Sequence, residues 1–291
     1  MNPQFNQVIE EAVERALGED VGSGDATTLS LVPPDSASSA LMNARVGMTV
    51  CGVGIAERVF KELDSGVKVE CRVGDGDRVE AGAALLRIEG PTRAILTGER
   101  TALNFMQRLS GVATLTSRYV AAVAGLKTEI LDTRKTTPGW RLLEKHAVAC
   151  GGGRNHRVGL YDMVMIKDNH LAALRDAEPN AIAAAVERAR AGAPDLKVEV
   201  EADNLEQVAQ AAEAGADIIL LDNMPPAMLR EALRIIDGRC QTEASGGITL
   251  ETIRAVAETG VDFISVGALT HSATAVDIGL DFAGGASGAA G

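Results

Sequence analysis

The feature that most constrains the fold is a βα alternation filling the second half of the chain. Short apolar runs at 129–133, 163–167, 196–201, 217–222, 241–244 and 262–266 read as strands, and alanine-rich segments between most of them read as helices. The last four begin at residues 196, 217, 241 and 262, in steps of 21, 24 and 21. Sliding residues 205–223 along by 45 positions onto 250–268 places Leu205 on Leu250, Gly215 on Gly260, Asp217 on Asp262 and Ile219 on Ile264. A shift of two βα units thus carries helix onto helix and strand onto strand. Short, regular crossovers favour a barrel of parallel strands over an open doubly wound sheet.

The first part of the chain reads differently. Phe5, Val8, Ile9, Ala12, Val13, Ala16 and Leu17 form one helical stripe that ends at Gly18. From about residue 40 to 96, apolar runs at 41–50, 67–73 and 84–88, broken by turn formers such as Gly74-Asp75-Gly76-Asp77, predict an antiparallel sheet. A helical stretch then carries Leu103, Met106 and Leu109 to a break at Gly111, and a second runs toward Gly125, with the domain boundary in this region. The Ala/Gly/Ser tail from Ala283 has no side chains able to bury surface and is expected to be disordered.

Composition narrows the function. With 291 residues, 46% of them hydrophobic and 23% charged, the chain is a soluble globular protein too long for one small core. Its apolar runs are far below the roughly 20 residues that cross a bilayer, and the N-terminus lacks a basic start and an apolar core, so a cytoplasmic location is expected. Cys51, Cys71, Cys150 and Cys240 lie far apart with no Cys-x-x-Cys, which indicates neither a disulfide framework nor a structural metal. A net charge of −12 and eight aromatic residues exclude nucleic acid as the natural partner. Between Asp132 and His170, however, seven basic residues face four acidic ones, and three of the four histidines lie there too. A cationic island in an acidic protein suits a small, highly anionic ligand.

In a barrel the reactive groups belong at the C-terminal ends of the strands. There the sequence places Asp132, Arg134 and Lys135; Lys167 and Asp168; Glu201; Asp222 and Asn223; Ser245, Gly246 and Gly247; and Gly267. Unpaired buried ions cost several kcal/mol, so this set reads as a polar mouth, with an internal Lys167–Glu201 pair as the structural alternative. Ser245-Gly246-Gly247, followed by a predicted helix over 249–258, suits anion capture by backbone amides at a helix start, and Val266-Gly267-Ala268 repeats the arrangement one unit later. Glu201 and Asp222 suit ribose hydroxyls, a magnesium ion with its waters, or a developing positive charge. Glu199, two residues before Glu201, shares its strand face as a supporting acid or a core acid paired with lysine.

Several strings are familiar as strings. Asp132-Thr133-Arg134-Lys135-Thr136-Thr137-Pro138-Gly139, Gly152-Gly153-Arg154-Asn155-His156-Arg157, residues 162–170 and Glu243-Ala244-Ser245-Gly246-Gly247-Ile248 resemble quinolinate phosphoribosyltransferase (nicotinate-nucleotide diphosphorylase, carboxylating), as do residues 18–25 and 97–104. The resemblance implies a type II phosphoribosyltransferase-like α/β fold: an N-terminal α/β sandwich domain (1–112), an incomplete, about seven-stranded α/β barrel (113–270), and a C-terminal helix over 271–282 packing back on the first domain, ahead of the tail at 283–291. It also implies a homodimer, with further assembly to a hexamer, in which one subunit caps the other's barrel mouth. The implied activity is transfer of phosphoribose from phosphoribosyl pyrophosphate to quinolinate, with magnesium and loss of carbon dioxide. Carried over residue by residue, Arg134, His156, Arg157 and Lys167 hold the quinolinate carboxylates, with Arg100 reaching in from the partner subunit and Thr133 beside them. Lys135 and Lys167 face the phosphates, Glu201 and Asp222 bind the ribose and, through water, the metal, and Ser245–Gly247 with Val266–Ala268 take the 5′-phosphate. Lys135, Glu201 and Asp222 are then the catalytic candidates. Trp140 stands where a leucine is expected, and Cys150 has no implied chemistry.

Three other readings fit parts of the pattern: a Schiff-base barrel aldolase using Lys167, a paralogue acting on another pyridine acid, and a non-catalytic anion-binding protein.

Overall fold

The computed structural model describes residues 3–283. Along the chain run α1 (Pro3–Val21), α2 (Ala26–Leu31), β1 (Ala37–Ala44), β2 (Met48–Thr49), α3 (Val53–Leu63), β3 (Lys68–Cys71), β4 (Arg78–Val79), β5 (Ala84–Pro91) and α4 (Thr92–Ala122). There follow β6 (Glu129–Leu131), α5 (Arg141–Cys150), β7 (Val164–Ile166), α6 (Asp168–Ala172), α7 (Ala181–Gly192), β8 (Val198–Ala202) and α8 (Leu205–Glu213). The last elements are β9 (Ile218–Asp222), α9 (Pro226–Ile236), β10 (Gln241–Ser245), α10 (Ile253–Ala257), β11 (Phe263–Ser265), α11 (Ala268–His271) and β12 (Ile278–Phe282). Among the described residues two compact units separate. The first draws on residues 3–117, 137–152 and 272–283, the second on Arg118–Thr136 and Gly153–His271.

In the first unit β12, β1, β5 and β3 form an antiparallel sheet in that order, and β2 pairs with β4. Ala40 and Met42 of β1 lie opposite Ile88 and Leu86 of β5, and all four are buried. Helix α3 interrupts the stretch expected to be all sheet. Its signal was present, since Ala56, Val59, Phe60 and Leu63 fall at helical spacing, but the apolar runs on either side led the whole stretch to be read as sheet. Gly52 caps α3 with φ of 99°.

Three local expectations are corrected. Helix α1 continues through Gly18 to Val21, and α4 is unbroken at Gly111. A Cβ on Gly111 would lie 2.2 Å from the Thr274 carbonyl oxygen, so this glycine permits close approach of a backbone and ends nothing. The segment expected as a C-terminal helix is a strand instead. Ile278, Leu280 and Phe282 alternate with Gly279 and Asp281, a period of two, and β12 pairs antiparallel with β1 from Ala40↔Phe282 to Ala44↔Ile278. The Ala283 amide donates to the Ser39 carbonyl; the rest of the expected disordered tail lies outside the described residues. Trp140 stacks on Phe105 with ring centroids 4.9 Å apart.

The second unit holds six parallel strands in the order β6-β11-β10-β9-β8-β7. Each falls within two residues of its expected start, and β9 and β11 flank β10, as a repeat of two βα units requires. Ile218 to Leu221 are all buried, as suits parallel strands covered on both faces. Among the described residues the edge strands β6 and β7 do not pair, and one parallel bridge, Leu131–Arg154, extends the β6 edge. The barrel is therefore incomplete: six strands and a one-residue seventh.

Gly111→Ala tests the close approach. Alanine gains about 0.5–1 kcal/mol in a helix interior, while overpacking costs about 1–3 kcal/mol. A lowered melting temperature is expected; an unchanged or raised one would show that the Thr274 contact imposes no constraint.

Candidate active site at the strand ends

Read across the sheet, the C-terminal strand ends of the second unit present Arg134 and Lys135 past β6, Gly267 past β11, Ser245–Gly247 at β10, Asp222 at β9, Glu201 at β8 and Lys167 past β7. Below this rim, the interior carries acids. Asp132, Glu199 and Glu243 are 0–1% exposed. The Asp132 carboxylate accepts the His156 amide at 2.7 Å, and the Arg154 amide donates to the Ile130 carbonyl at 2.8 Å, so the loop from Gly153 to Arg157 is tied alongside β6. This sets His156 Nε2 3.1 Å from Glu199 and 3.4 Å from Glu243. Glu199 thus pairs with a histidine, correcting the expected lysine partner. Glu243 was not singled out in the sequence, though its position two residues before Ser245 on the same strand put it on the same face as that rim residue.

Two influences compete on the His156 ring. Burial and the Arg157 amide, which donates to Nδ1 at 2.8 Å, favour the neutral form with its proton on Nε2. Against them, hydrogen bonds to Glu199 and Glu243 raise its pKa to about 10. Burial pushes Glu199 up to about 7, His156 opposes the shift and the charge of Glu243 adds to it. The Nδ1 contact is the geometric constraint, and it keeps the ring proton between the two carboxylates.

Above the acids sits a pair of guanidinium groups. Arg157 donates to the Met163 carbonyl at 3.1 Å and to the Met165 sulfur at 3.5 Å, which fixes it against β7 and its approach. Burial, and then the like charge of Arg134, draw its pKa below the ordinary arginine value. Arg134 Nε is buried and meets no acceptor. Among the described residues neither arginine has a carboxylate at ion-pair distance. Glu199 and Asp162 offset part of the repulsion from a distance, and two neighbouring cations with no direct ion pair suit an anion that joins them.

The remaining rim residues are held by short local contacts. The Lys135 amide donates to Thr133 Oγ1 at 3.0 Å and its carbonyl accepts from Thr270 Oγ1 at 2.7 Å, leaving its side chain exposed. A Cβ on Gly267 would come within 3.1 Å of Lys135 Cδ. Lys167 Nζ donates to Glu201 Oε2, the internal pair anticipated as the structural alternative. That ammonium is engaged by a carboxylate and is not set in an apolar pocket, the environment a Schiff-base amine needs. Asp222 accepts from Asn223 Nδ2 at 2.6 Å. Asn223 and Gly246 meet closely, since a Cβ on Gly246 would lie 2.1 Å from Asn223 Oδ1, and Gly246 and Gly247 both have positive φ.

One expectation fails here. Helix α10 starts at Ile253, so residues 248–252 separate it from the glycine pair, and α11 has only four residues. Anion capture at Ser245–Gly247 would rest on turn amides and not on a helix dipole. Val266 is buried and its amide donates to the Leu131 carbonyl, which leaves Gly267 and Ala268 at the rim. Arg100 is exposed on α4 in the first unit, beside Asp20, Gly24 and Asp25. A cavity at the N-terminal strand ends, lined by Asp217, Thr242 and Asp262, has its acids spoken for: Asp217 by Arg190 and the Val198 amide, Asp262 by Thr242 and Lys127.

Comparison with known families places the chain as a whole. The model of the quinolinate phosphoribosyl transferase N-terminal domain matches residues 25–110, and that of the C-terminal domain matches residues 112–281. The chain belongs to the quinolinate phosphoribosyltransferase family. It is 44% identical to a probable nicotinate-nucleotide pyrophosphorylase (carboxylating) of Bacillus subtilis, over 90% of this chain and 89% of that one. It is also 44% identical to the nicotinate-nucleotide pyrophosphorylase (carboxylating) of Mycobacterium leprae, over 93% and 96%. The solved nicotinate-nucleotide pyrophosphorylase of Francisella tularensis superposes with a TM-score of 0.90 at 41% identity, covering 96% and 97% of the two chains. Nothing in these likenesses supports the aldolase reading. No helix among the described residues is long and apolar enough to cross a membrane.

The Glu199 environment predicts a pH dependence for this quinolinate phosphoribosyltransferase fold. A carboxyl raised from its usual 4.5 to about 7 contributes stability that is complete below about pH 4.5 and lost as pH rises through about 7. Melting temperatures of the parent and of Glu199→Gln, measured from pH 4.5 to 8.5, should diverge in favour of the variant as pH rises. A difference independent of pH would show that Glu199 titrates normally.

Proposed function

We propose that the chain transfers the phosphoribosyl group of phosphoribosyl pyrophosphate to the ring nitrogen of quinolinate, releasing pyrophosphate and carbon dioxide and giving nicotinate mononucleotide for NAD synthesis. The observation that carries this reading is the Arg134–Arg157 pair: the charge of Arg134 weighs on Arg157, Arg134 Nε is buried without an acceptor, and among the described residues neither guanidinium forms a salt bridge. A planar ring with two adjacent carboxylates supplies two negative charges and the flat acceptor geometry that arginine forks match. His156 stands beside Arg157, and Lys167 completes the basic side of the pocket.

The rest of the rim fits the other substrate. Leaving pyrophosphate makes the anomeric carbon electron-poor, so carboxylates near the ribose stabilise the transition state; Glu201 and Asp222 take that role. Lys135, with Lys167, faces the departing phosphates, and Ser245, Gly246 and Gly247 with Val266, Gly267 and Ala268 receive the 5′-phosphate. Glu201 and Asp222 are hard oxygen donors, each with one carboxylate oxygen engaged by a neighbouring side chain, and two such groups suit a magnesium ion held through its waters better than a closed cage. Magnesium, when bound with phosphoribosyl pyrophosphate, neutralises charge on the leaving group. Once nitrogen is alkylated, the pyridinium ring accepts the electron pair of the C2–carboxylate bond as carbon dioxide departs, and the C2 carbanion left behind takes up a proton from solvent. We further assign the working form as a cytoplasmic homodimer, with assembly to a hexamer, in which Arg100 of one subunit completes the partner's pocket.

Purified protein with magnesium, phosphoribosyl pyrophosphate and quinolinate should form nicotinate mononucleotide, and absence of product would overturn the assignment. Arg157→Ala should weaken quinolinate binding by roughly 30-fold or more, about 2 kcal/mol, with phosphoribosyl pyrophosphate binding retained; calorimetry that finds both ligands equally weakened would remove Arg157 from carboxylate recognition. Asp222→Asn should lower turnover by about 10²-fold with a smaller change in quinolinate affinity. Unchanged turnover would take Asp222 out of the mechanism.

A further inference from the structure

Four potential metal ligands converge in the first unit, none of them assigned a role above. Cys51 Sγ, an Asp75 carboxylate oxygen, a His146 ring nitrogen and Cys150 Sγ all lie within 4.8 Å of one another. His146 Nε2 is 2.8 Å from Asp75 Oδ2 and 3.5 Å from Cys150 Sγ. We propose that these four side chains form a tetrahedral Cys₂HisAsp site for a divalent metal ion, zinc by preference.

The geometry separates this reading from a catalytic relay. In a Cys-His-Asp triad the acid and the nucleophile use opposite nitrogens of the ring. Here both address the same nitrogen, so the donors point at a common centre. Bond lengths of about 2.0–2.3 Å to zinc place neighbouring donors of a tetrahedral site roughly 3.3–3.8 Å apart, and the spacing found is of that order. Thiolate and imidazole donors together select zinc over magnesium or calcium.

The supporting contacts are those of a built site. Asp75 Oδ1 accepts the amides of Gly52 and Val53 at 2.8 and 3.0 Å, so one oxygen is saturated and the other is turned to the centre. Ser110 Oγ accepts the Cys51 amide at 2.9 Å and donates to its carbonyl. The Asp75 loop is clamped to the same segment, for Gly76 donates to the Val50 carbonyl and Val50 to the Asp77 carbonyl. His146 and Cys150 stand four residues apart on α5, one face of one helix. Such second contacts orient ligands before the ion arrives. Metal binding needs both sulfurs as thiolates and His146 Nε2 without its proton, so loading releases protons to solvent. The sequence concealed the site because its ligands come from three distant segments, with no Cys-x-x-Cys to announce it.

The test uses the full-length protein, stripped with a chelator and titrated with Co²⁺. One equivalent should produce thiolate-to-cobalt charge-transfer absorption in the near ultraviolet and intense visible bands of four-coordinate cobalt, both displaced by Zn²⁺. Protein isolated without chelator should carry roughly one zinc per chain. Cys150→Ser should abolish the charge-transfer band or cut it by about half, and His146→Gln, at a half-exposed position, should weaken Zn²⁺ binding at least about tenfold. Stoichiometric Zn²⁺ should raise the melting temperature of the parent and not of Cys150→Ser. Stripped parent that gives no thiolate band with Co²⁺, or a band unchanged in Cys150→Ser, overturns the proposal. So does a protein that takes up no metal and instead links Cys51 to Cys150 on peroxide treatment.

Discussion

The second unit is organised around negative charge placed where it is hardest to keep. Asp132, Glu199 and Glu243 are buried in or beside the strands of the parallel sheet, and a buried ion without partners costs several kcal/mol. Their compensation comes from the loop between α5 and β7. Asp132 is satisfied by the His156 amide, while Glu199 and Glu243 share the His156 ring. The acids thereby dictate where that loop runs, and Arg157, next in sequence, is carried to the rim beside Arg134. The interior charge and the rim charge are one arrangement: carboxylates below, cations above.

The same arrangement accounts for selectivity among anions. A single phosphate could be met by glycine turns alone, as at Ser245–Gly247. Two guanidinium groups, one of them tied to Met163 and Met165, present planar forks that match a flat dianion, which a flexible ammonium does not. Lys167, held by Glu201, is placed where the acidic and basic sides of the rim meet.

Much of this was legible in the sequence, because parallel strands covered on both faces leave continuous apolar runs and the charged residues that follow them stand out. The 45-residue self-match reflected real alternation of β9, β10 and β11. Where reading failed, one residue type served two purposes. Gly18 suggested a stop although α1 runs on to Val21, and Gly111 suggested a break although it admits a backbone contact. Residues 249–252 favour helix by composition, yet the turn after β10 delays α10 to Ile253. Glu243 and the Cys51–Asp75–His146–Cys150 cluster were invisible because their meaning depends on partners distant in the chain.

The pairing of β12 with β1 bears on how the protein can be handled. β1 is an eight-residue strand flanked by β5 on one side, and Ile278 to Phe282 occupy its other side. Removing those five residues would expose a row of unsatisfied amides and carbonyls, a template onto which a neighbouring molecule can add its own strand. Affinity tags and fusions at this terminus therefore belong beyond Phe282 with a spacer, and shortening the chain past that point invites precipitation even though no rim residue is lost.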